Sequence, residues 1–102
     1  MNTLEELIKK AMEADAETLT IEYRDGFEEI TAYSGGLGVT IDAIKSSTSE
    51  SDALLEEIEK IEKENRITID KHEVLLKISS YDDFGETAYE IKILRSPTDT
   101  AH

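Results

Sequence analysis

The hydrophobic and polar positions of this chain change from helical spacing to strand spacing twice, in the same order. The first helical segment opens with Thr3 and Glu6, which have the spacing of a capping box. Apolar residues then recur every three or four positions until about Ala14. These residues are Leu4, Leu7, Ile8, Ala11 and Met12. The pattern predicts an amphipathic helix with one buried face.

A hairpin is predicted directly after this helix. Leu19, Ile21 and Tyr23 alternate with polar residues, as in a strand with one buried face. Asp25-Gly26 follows and is a strong signal for a two-residue turn, because both central positions of the favoured turn have positive φ. The resulting register brings apolar residues together on one face. It pairs Tyr23 with Glu28, Ile21 with Ile30, and Leu19 with Ala32.

A third strand and the second pass follow. Gly35-Gly36 predicts another turn, after which Leu37, Val39 and Ile41 alternate as a strand. A second helix is predicted to start with Ser49 or Ser51 as its N-cap and to end at Asn65. Its apolar stripe comprises Leu54, Leu55, Ile58 and Ile61. The remaining strands centre on Ile67 and Ile69, on Val74, Leu76 and Ile78, and on Tyr89, Ile91 and Ile93, with a turn near Lys71-His72.

The two passes also read alike in sequence at a distance of 48 residues. The segment from Leu19 to Glu22 is echoed from Ile67 to Asp70, and the segment from Ile30 to Tyr33 is echoed from Ile78 to Tyr81. We therefore predict an α+β fold with two layers in the order αβββ-αβββ. Its sheet is mostly antiparallel, and both helices pack on one face. Residues 1–95 are predicted to form a single domain, and residues 96–102 a disordered tail.

The composition narrows the classes of function. The 102 residues include 24 acidic and 11 basic side chains, for a formal net charge of −13. Nucleic-acid binding needs clustered lysine and arginine, and this chain has no such cluster. There is no cysteine and no apolar run long enough for a membrane span. We expect a cytoplasmic protein that binds neither nucleic acid nor membrane and whose partner is a protein. Most of the charge is expected to serve solubility, and a basic protein partner, or mimicry of nucleic acid, is the sharper alternative.

The sequence contains no recognisable catalytic or metal-binding motif. The glycines of the segment 35–38 lie between two strands, which favours a hairpin turn over a phosphate-binding loop. His72 falls in a predicted turn and His102 is the last residue, so neither belongs to a nucleophile triad or a metal-binding helix. We therefore expect no enzymatic activity, no cofactor and no metal site.

Two groups of residues are candidates for an interaction site. Glu22 and Glu29 lie directly opposite each other in the predicted register, on the face away from the helices. Such a pair can share a proton, hold a cation or meet a basic group from a partner, although exposed strand residues also tolerate mild repulsion. The second group is a predicted loop that combines two aromatic and two acidic side chains, as interaction hot spots do. Its residues are Tyr81, Asp82, Asp83 and Phe84, and either aromatic ring could instead fold back over the sheet.

The order of the motifs resembles the small N-terminal domain that precedes the motor domain of type II secretion and type IV pilus ATPases. In that family a helix leads into a strand of the form A-S-D-[IL]-H-[IL], a hairpin and a glycine-containing turn. Strands and turns containing G-R-I, R-V-S, H-G-E and R-[IL]-L follow. The matching segments here are 11–22, Asp25-Gly26, Gly35-Gly36, Asn65-Arg66-Ile67, Lys77-Ile78-Ser79, Phe84-Gly85-Glu86 and Lys92-Ile93-Leu94. The likeness extends over nearly the whole chain, to about Leu94.

The resemblance implies a fold and a docking role. Arginines of that family reach toward nucleotide, whereas this chain has Glu29, Thr31 and Tyr33 at the corresponding hairpin and no motor domain. An acidic strand repels a triphosphate, so ATP hydrolysis is not expected. The expected function is a non-catalytic interaction or regulatory module, with a motor ATPase as one partner class. The alternative is a small acidic chaperone-like dimer, and homo-oligomerisation is compatible with both of these functions. The third hypothesis is a metal-dependent enzyme centred on Glu22 and Glu29.

Overall fold

The structure, a computed structural model, describes residues 4–94, which form two helices and six strands. In chain order these are α1 (Leu4–Glu13), β1 (Thr18–Arg24), β2 (Phe27–Ser34), β3 (Leu37–Lys45), α2 (Ser49–Glu64), β4 (Arg66–Ile69), β5 (His72–Asp83) and β6 (Glu86–Leu94). The strands form one sheet in the order β3-β2-β1-β6-β5-β4, and every neighbouring pair is antiparallel. The predicted α+β class is confirmed. The predicted capping residue Thr3 and the predicted tail 96–102 lie outside the described residues.

The first hairpin forms in the predicted register. Asp25 and Gly26 have φ values of 50° and 86°, as the predicted two-residue turn requires. All three predicted pairs are present, namely Tyr23 with Glu28, Ile21 with Ile30, and Leu19 with Ala32. Turn geometry and the apolar alternation demand the same register, which explains why local sequence was sufficient here.

The N-terminus of α2 differs from the prediction. Thr48 is the N-cap, rather than Ser49 or Ser51. Its side chain accepts a hydrogen bond from the Ser51 backbone N–H at 3.2 Å, and its own N–H donates to Ser51 Oγ at 3.2 Å. Ser51 therefore occupies the third position of a reciprocal capping box, which satisfies two N–H groups at once. The predicted end is confirmed, because Asn65 is left-handed with φ 58°.

The second half repeats the order of elements but not the positions of the turns. The turn between β4 and β5 uses Asp70 and Lys71, one residue before the predicted site. The segment from Tyr81 to Asp83 was predicted to be a loop, and this is wrong because β5 continues through Asp83. Only Phe84 and Gly85 form the turn to β6. Cross-strand pairing with β6 keeps these polar residues in the ladder although their sequence lacks clear alternation.

One hydrophobic cluster joins both helices to a single face of the sheet. Alternate residues of the strands point into this cluster, including Leu19, Ile21 and Ile30, each at most 1% exposed. We call the other side of the sheet the open face. It presents mainly polar and charged side chains, because successive residues of a strand alternate between faces. The helices contribute Leu4, Leu7, Ile8, Ala11, Leu54 and Ile58 to the cluster.

The packing of α2 distinguishes residues that the helical spacing treats alike. Ile58 is fully buried, whereas Ile61 is only partly buried against the same cluster. We expect Ile58→Ala to lower the free energy of unfolding by about 2–5 kcal/mol, because a buried cavity remains, and Ile61→Ala to cost less than about 2 kcal/mol. Urea unfolding of both variants measures the difference. Equal losses would contradict the orientation of α2 described here.

Candidate functional site

Two hairpin turns lie side by side at one end of the sheet. β1 and β6 are antiparallel neighbours, with Thr18 opposite Lys92 and Ile21 opposite Tyr89. Continued along the strands, this register places the Asp25-Gly26 turn beside the Phe84-Gly85 turn. A groove runs between them, and we call this region the turn end. Its lining residues are Tyr23, Arg24, Asp25, Asp83, Phe84 and Glu86.

The turn end collects exposed aromatic side chains. Tyr23 and Phe27 flank the first turn, and Tyr81 and Phe84 belong to the second hairpin. Each of these four residues keeps more than a third of its surface exposed, and Phe84 is completely exposed. Tyr23 and Phe84 line the groove together, and exposed aromatic residues of this kind are ones that protein partners bury.

The backbone of Phe84 is held in an unfavourable region. Its φ is 53°, the left-handed conformation that the first position of this turn requires. Asp25 occupies the equivalent position of the first hairpin, where a short polar side chain tolerates the conformation. A bulky side chain there costs of order 1–3 kcal/mol. Phe84 thus combines a strained backbone with a side chain that gains nothing from the core.

Tyr81 forms a bridge across the open face. It lies opposite Ala88 of β6, and its hydroxyl donates a 2.7 Å hydrogen bond to Glu22 Oε2 on β1. The ring therefore spans β6, and Ala88 is fully buried although it belongs to the open face. Burial raises the pKa of Tyr81 above its ordinary value of 10.0, and the hydrogen bond to Glu22 and the charge of Glu22 raise this pKa further.

The predicted carboxylate pair is present and is bridged from within the chain. Glu22 and Glu29 lie opposite each other on β1 and β2, as predicted. Arg24 Nη2 is 3.5 Å from Glu22 Oε1, and Arg24 Nε is 3.6 Å from Glu29 Oε1. The basic group that offsets their repulsion is therefore Arg24 of the same strand. Among residues 4–94, no group of three or more acidic or histidine side chains could hold a metal ion.

A depression beside this bridge contains an unpartnered hydroxyl. Thr20 is only 7% exposed, and its Oγ1 has no hydrogen-bond partner. A buried hydroxyl without a partner is costly. Three carboxylates and two tyrosines surround it, which suits a cationic side chain. The lining residues are Glu17, Thr18, Thr20, Glu22, Tyr33, Gly36, Tyr81 and Glu90.

Apart from Arg24, the charged side chains of the open face include like-charged pairs. Besides the pair of Glu22 and Glu29, Asp83 lies opposite Glu86 at the turn end. Two lysines, Lys77 and Lys92, face each other farther from the turns. Like charges directly opposite each other are destabilising. The arrangement therefore lowers stability and leaves the turn end acidic.

The structure brings most of the predicted site residues together but divides them between surfaces. Tyr81 and Glu22 are hydrogen-bonded, Glu29 is joined to Glu22 through Arg24, and Asp83 and Phe84 line the groove at the turns. Asp82 lies on the opposite side of β5, because neighbouring residues of a strand alternate. Sequence reasoning missed Tyr23, Arg24, Phe27 and Glu86. Their positions beside turn residues were the available signal, but the β1–β6 pairing that unites them was not predicted.

Comparison with known proteins does not assign the chain to a class. No protein-family model matches it, and no curated protein matches it in sequence. Within residues 4–94, neither helix has the length and apolar character needed to cross a membrane. The fold and the turn end therefore define a small α+β domain with an acidic, aromatic surface.

The raised pKa of Tyr81 predicts a specific loss of stability in alkali. As the pH rises above 10.0, the unfolded chain releases the Tyr81 proton before the folded protein does. The stabilisation is thus fully present below about pH 10 and is lost as the pH rises through the folded pKa. Tyr81→Phe should lose about 0.5–1 kcal/mol at neutral pH with the hydrogen bond, but should lose less than the wild type on going from about pH 9 to about pH 11.

Urea unfolding at the two pH values tests this prediction. Burial also raises the pKa of Tyr89, and that residue contributes the same alkaline loss to both proteins. If the wild type and Tyr81→Phe lose equal stability between the two pH values, the proton on Tyr81 is not linked to folding.

Proposed function

We propose that this protein is a non-catalytic docking module that binds a basic segment of a partner protein at its turn end. The observation that carries the proposal is Phe84, a completely exposed aromatic side chain on a left-handed backbone. Strain and apolar exposure both lower stability, and nothing within the described residues offsets them. A partner that buries the ring offsets the apolar exposure.

The charge around Phe84 specifies the chemistry of the partner. Asp83 and Glu86 flank the turn and Asp25 lies in the neighbouring turn, so three carboxylates line the groove beside the exposed ring, together with Arg24, which also contacts Glu22 and Glu29. Complementary basic groups steer association and favour one orientation of binding. A segment that carries lysine or arginine beside an apolar residue fits this surface.

The depression around Thr20 extends the proposed surface along the open face. A lysine or arginine of the same partner segment can enter between Tyr33 and Tyr81 and meet Glu17, Glu22 or Glu90. Such a cation gains attraction from the aromatic faces as well as from the carboxylates.

The two candidate aromatics differ in their roles. Tyr81 covers Ala88 and is hydrogen-bonded to Glu22, so its removal would disturb the sheet as well as any docking surface. Phe84 has no such contact and is the cleaner probe. The resemblance to the N-terminal domains of secretion and pilus ATPases supports a docking role, and a motor ATPase remains one proposed class of partner.

Phe84→Asn separates stability from binding. Asparagine tolerates the left-handed conformation, so we expect the free energy of unfolding to rise by about 1 kcal/mol while the docking contact is lost. Urea unfolding measures the first effect. Binding is measured by calorimetry with a synthetic peptide that alternates lysine and leucine, compared with a peptide in which glutamate replaces each lysine.

Leu94→Asn is the matched control, because Leu94 is an exposed apolar residue at the other end of β6. We expect the wild type and Leu94→Asn to bind the lysine peptide, Phe84→Asn to bind it at least about tenfold more weakly, and none to bind the glutamate peptide. High salt should weaken the interaction. Undiminished binding by Phe84→Asn, or binding of the glutamate peptide, would contradict the proposal.

A further inference from the structure

The two edge strands of the sheet differ in how well they are protected from pairing with another chain. β4 spans four residues, begins with Arg66 and ends beside Lys71. β3 spans nine residues and pairs only with β2, so its other edge is free in the described chain. Natural proteins protect such edges by shortness, charge, proline or bulges. β4 is protected because it is short and flanked by charged residues, whereas the two halves of β3 differ in their protection.

The second half of β3 is protected. A β-bulge interrupts its pairing with β2 between Thr40 and Asp42, and the Asp42 carboxylate accepts a 2.8 Å hydrogen bond from the Ala43 N–H. Lys45 adds another charge at the end of the strand, and its carbonyl accepts a hydrogen bond from Thr48 Oγ1 at 2.7 Å. Bulge, charge and occupied backbone groups all oppose strand addition here.

The first half of β3, residues Leu37 to Thr40, has none of these protections and ends at the bulged residue Ile41. It contains no charged residue in a chain of which 34% is charged. Leu37 is 77% exposed and Val39 is 64% exposed, since neither helix covers them. We call this segment the open edge. It is apolar and neutral, and its strand can accept another strand.

We infer that the open edge pairs with the open edge of a second copy of this chain, to give a dimer with one continuous sheet. The segment is self-complementary about Val39. In an antiparallel pair centred there, Val39 faces Val39 and Gly38 faces Thr40 on the opposite side, while Leu37 lies nearest the bulged Ile41. The aliphatic residues therefore meet on one face, and the small residues meet on the other.

The self-complementary pattern selects a second copy as the occupant, and the neutral edge itself does not repel one. A basic segment would gain nothing at a neutral edge, whereas in the register above no like-charged side chains meet. The remaining obstacle is the net charge of −13 on each copy, whose mutual repulsion salt reduces. The dimer should therefore be stronger at high salt, opposite to the effect expected for the basic peptide at the turn end.

Pairing at the open edge does not involve the turn end. Leu37 begins β3 at the end of the sheet away from the Asp25-Gly26 turn. Pairing of two open edges therefore leaves both turn ends free and places them at opposite ends of the assembly. A dimer would present two docking surfaces to a partner, although the pairing itself does not depend on the proposed docking function.

Sedimentation equilibrium of the full chain tests the inference. Samples from about 10 to about 500 µM, at low and at high sodium chloride, cover the range expected for a small interface. We expect the wild type to shift from monomer to dimer with concentration, and to do so at lower concentration in high salt. Amide NMR signals of Gly38, Val39 and Thr40 should shift over the same range.

Val39→Lys introduces a charge at the centre of the pairing, and Thr68→Lys introduces the same charge on β4 as a matched control. Both positions are exposed, and circular dichroism confirms folding of each variant. We expect Val39→Lys to raise the dissociation constant at least about tenfold and Thr68→Lys to leave it within about twofold. A wild type that stays monomeric throughout would overturn the inference. Dimers that persist in Val39→Lys, or larger open-ended assemblies, would overturn it too.

Discussion

The antiparallel pairing of β1 with β6 is the contact on which the rest of the molecule depends. It joins the two halves of the chain into one sheet and places Leu19 opposite Ile91 in the shared core. The same pairing puts two distant turns beside each other and brings Glu22 within reach of Tyr81. Successive residues of a strand point to opposite faces of the sheet. The register of one strand pair therefore determines both which residues meet in the core and which residues meet on the open face.

The two faces of the sheet differ in how many unfavourable features they contain. On the helix face, apolar residues are buried in one cluster, and α2 is closed by a reciprocal capping box and a left-handed Asn65. On the open face and at its ends, like charges face each other, Thr20 Oγ1 lacks a partner and Phe84 is strained. Violations confined to one part of a fold commonly mark the part that serves a function. Together with the exposed Phe84, that contrast supports the proposal of a docking module.

Most features that depend on neighbouring residues were predicted correctly from the sequence, whereas features that depend on distant residues were not. The Asp25-Gly26 hairpin, its register and the opposition of Glu22 and Glu29 were predicted correctly, because a tight turn and strand alternation act locally. The N-cap was predicted at Ser49 or Ser51 instead of Thr48, since several hydroxyl residues in this segment could serve and only the reciprocal hydrogen bonds distinguish them. The extension of β5 through Asp83 was missed, because its polar residues are kept in the sheet by β6 rather than by their own alternation.

The sequence by itself therefore determined the elements, their order, the buried residues of the core strands and the acidic character of the surface. These follow from periodicity, turn residues and charge, which neighbouring positions encode. Only the tertiary structure decided that β1 lies beside β6, that Arg24 bridges the carboxylates, that Tyr81 spans Ala88 and that β3 forms an edge. Apart from the Arg24 bridge, which forms within the first hairpin, each of these depends on contacts between residues far apart in the chain, and no local pattern specifies which distant strands become neighbours.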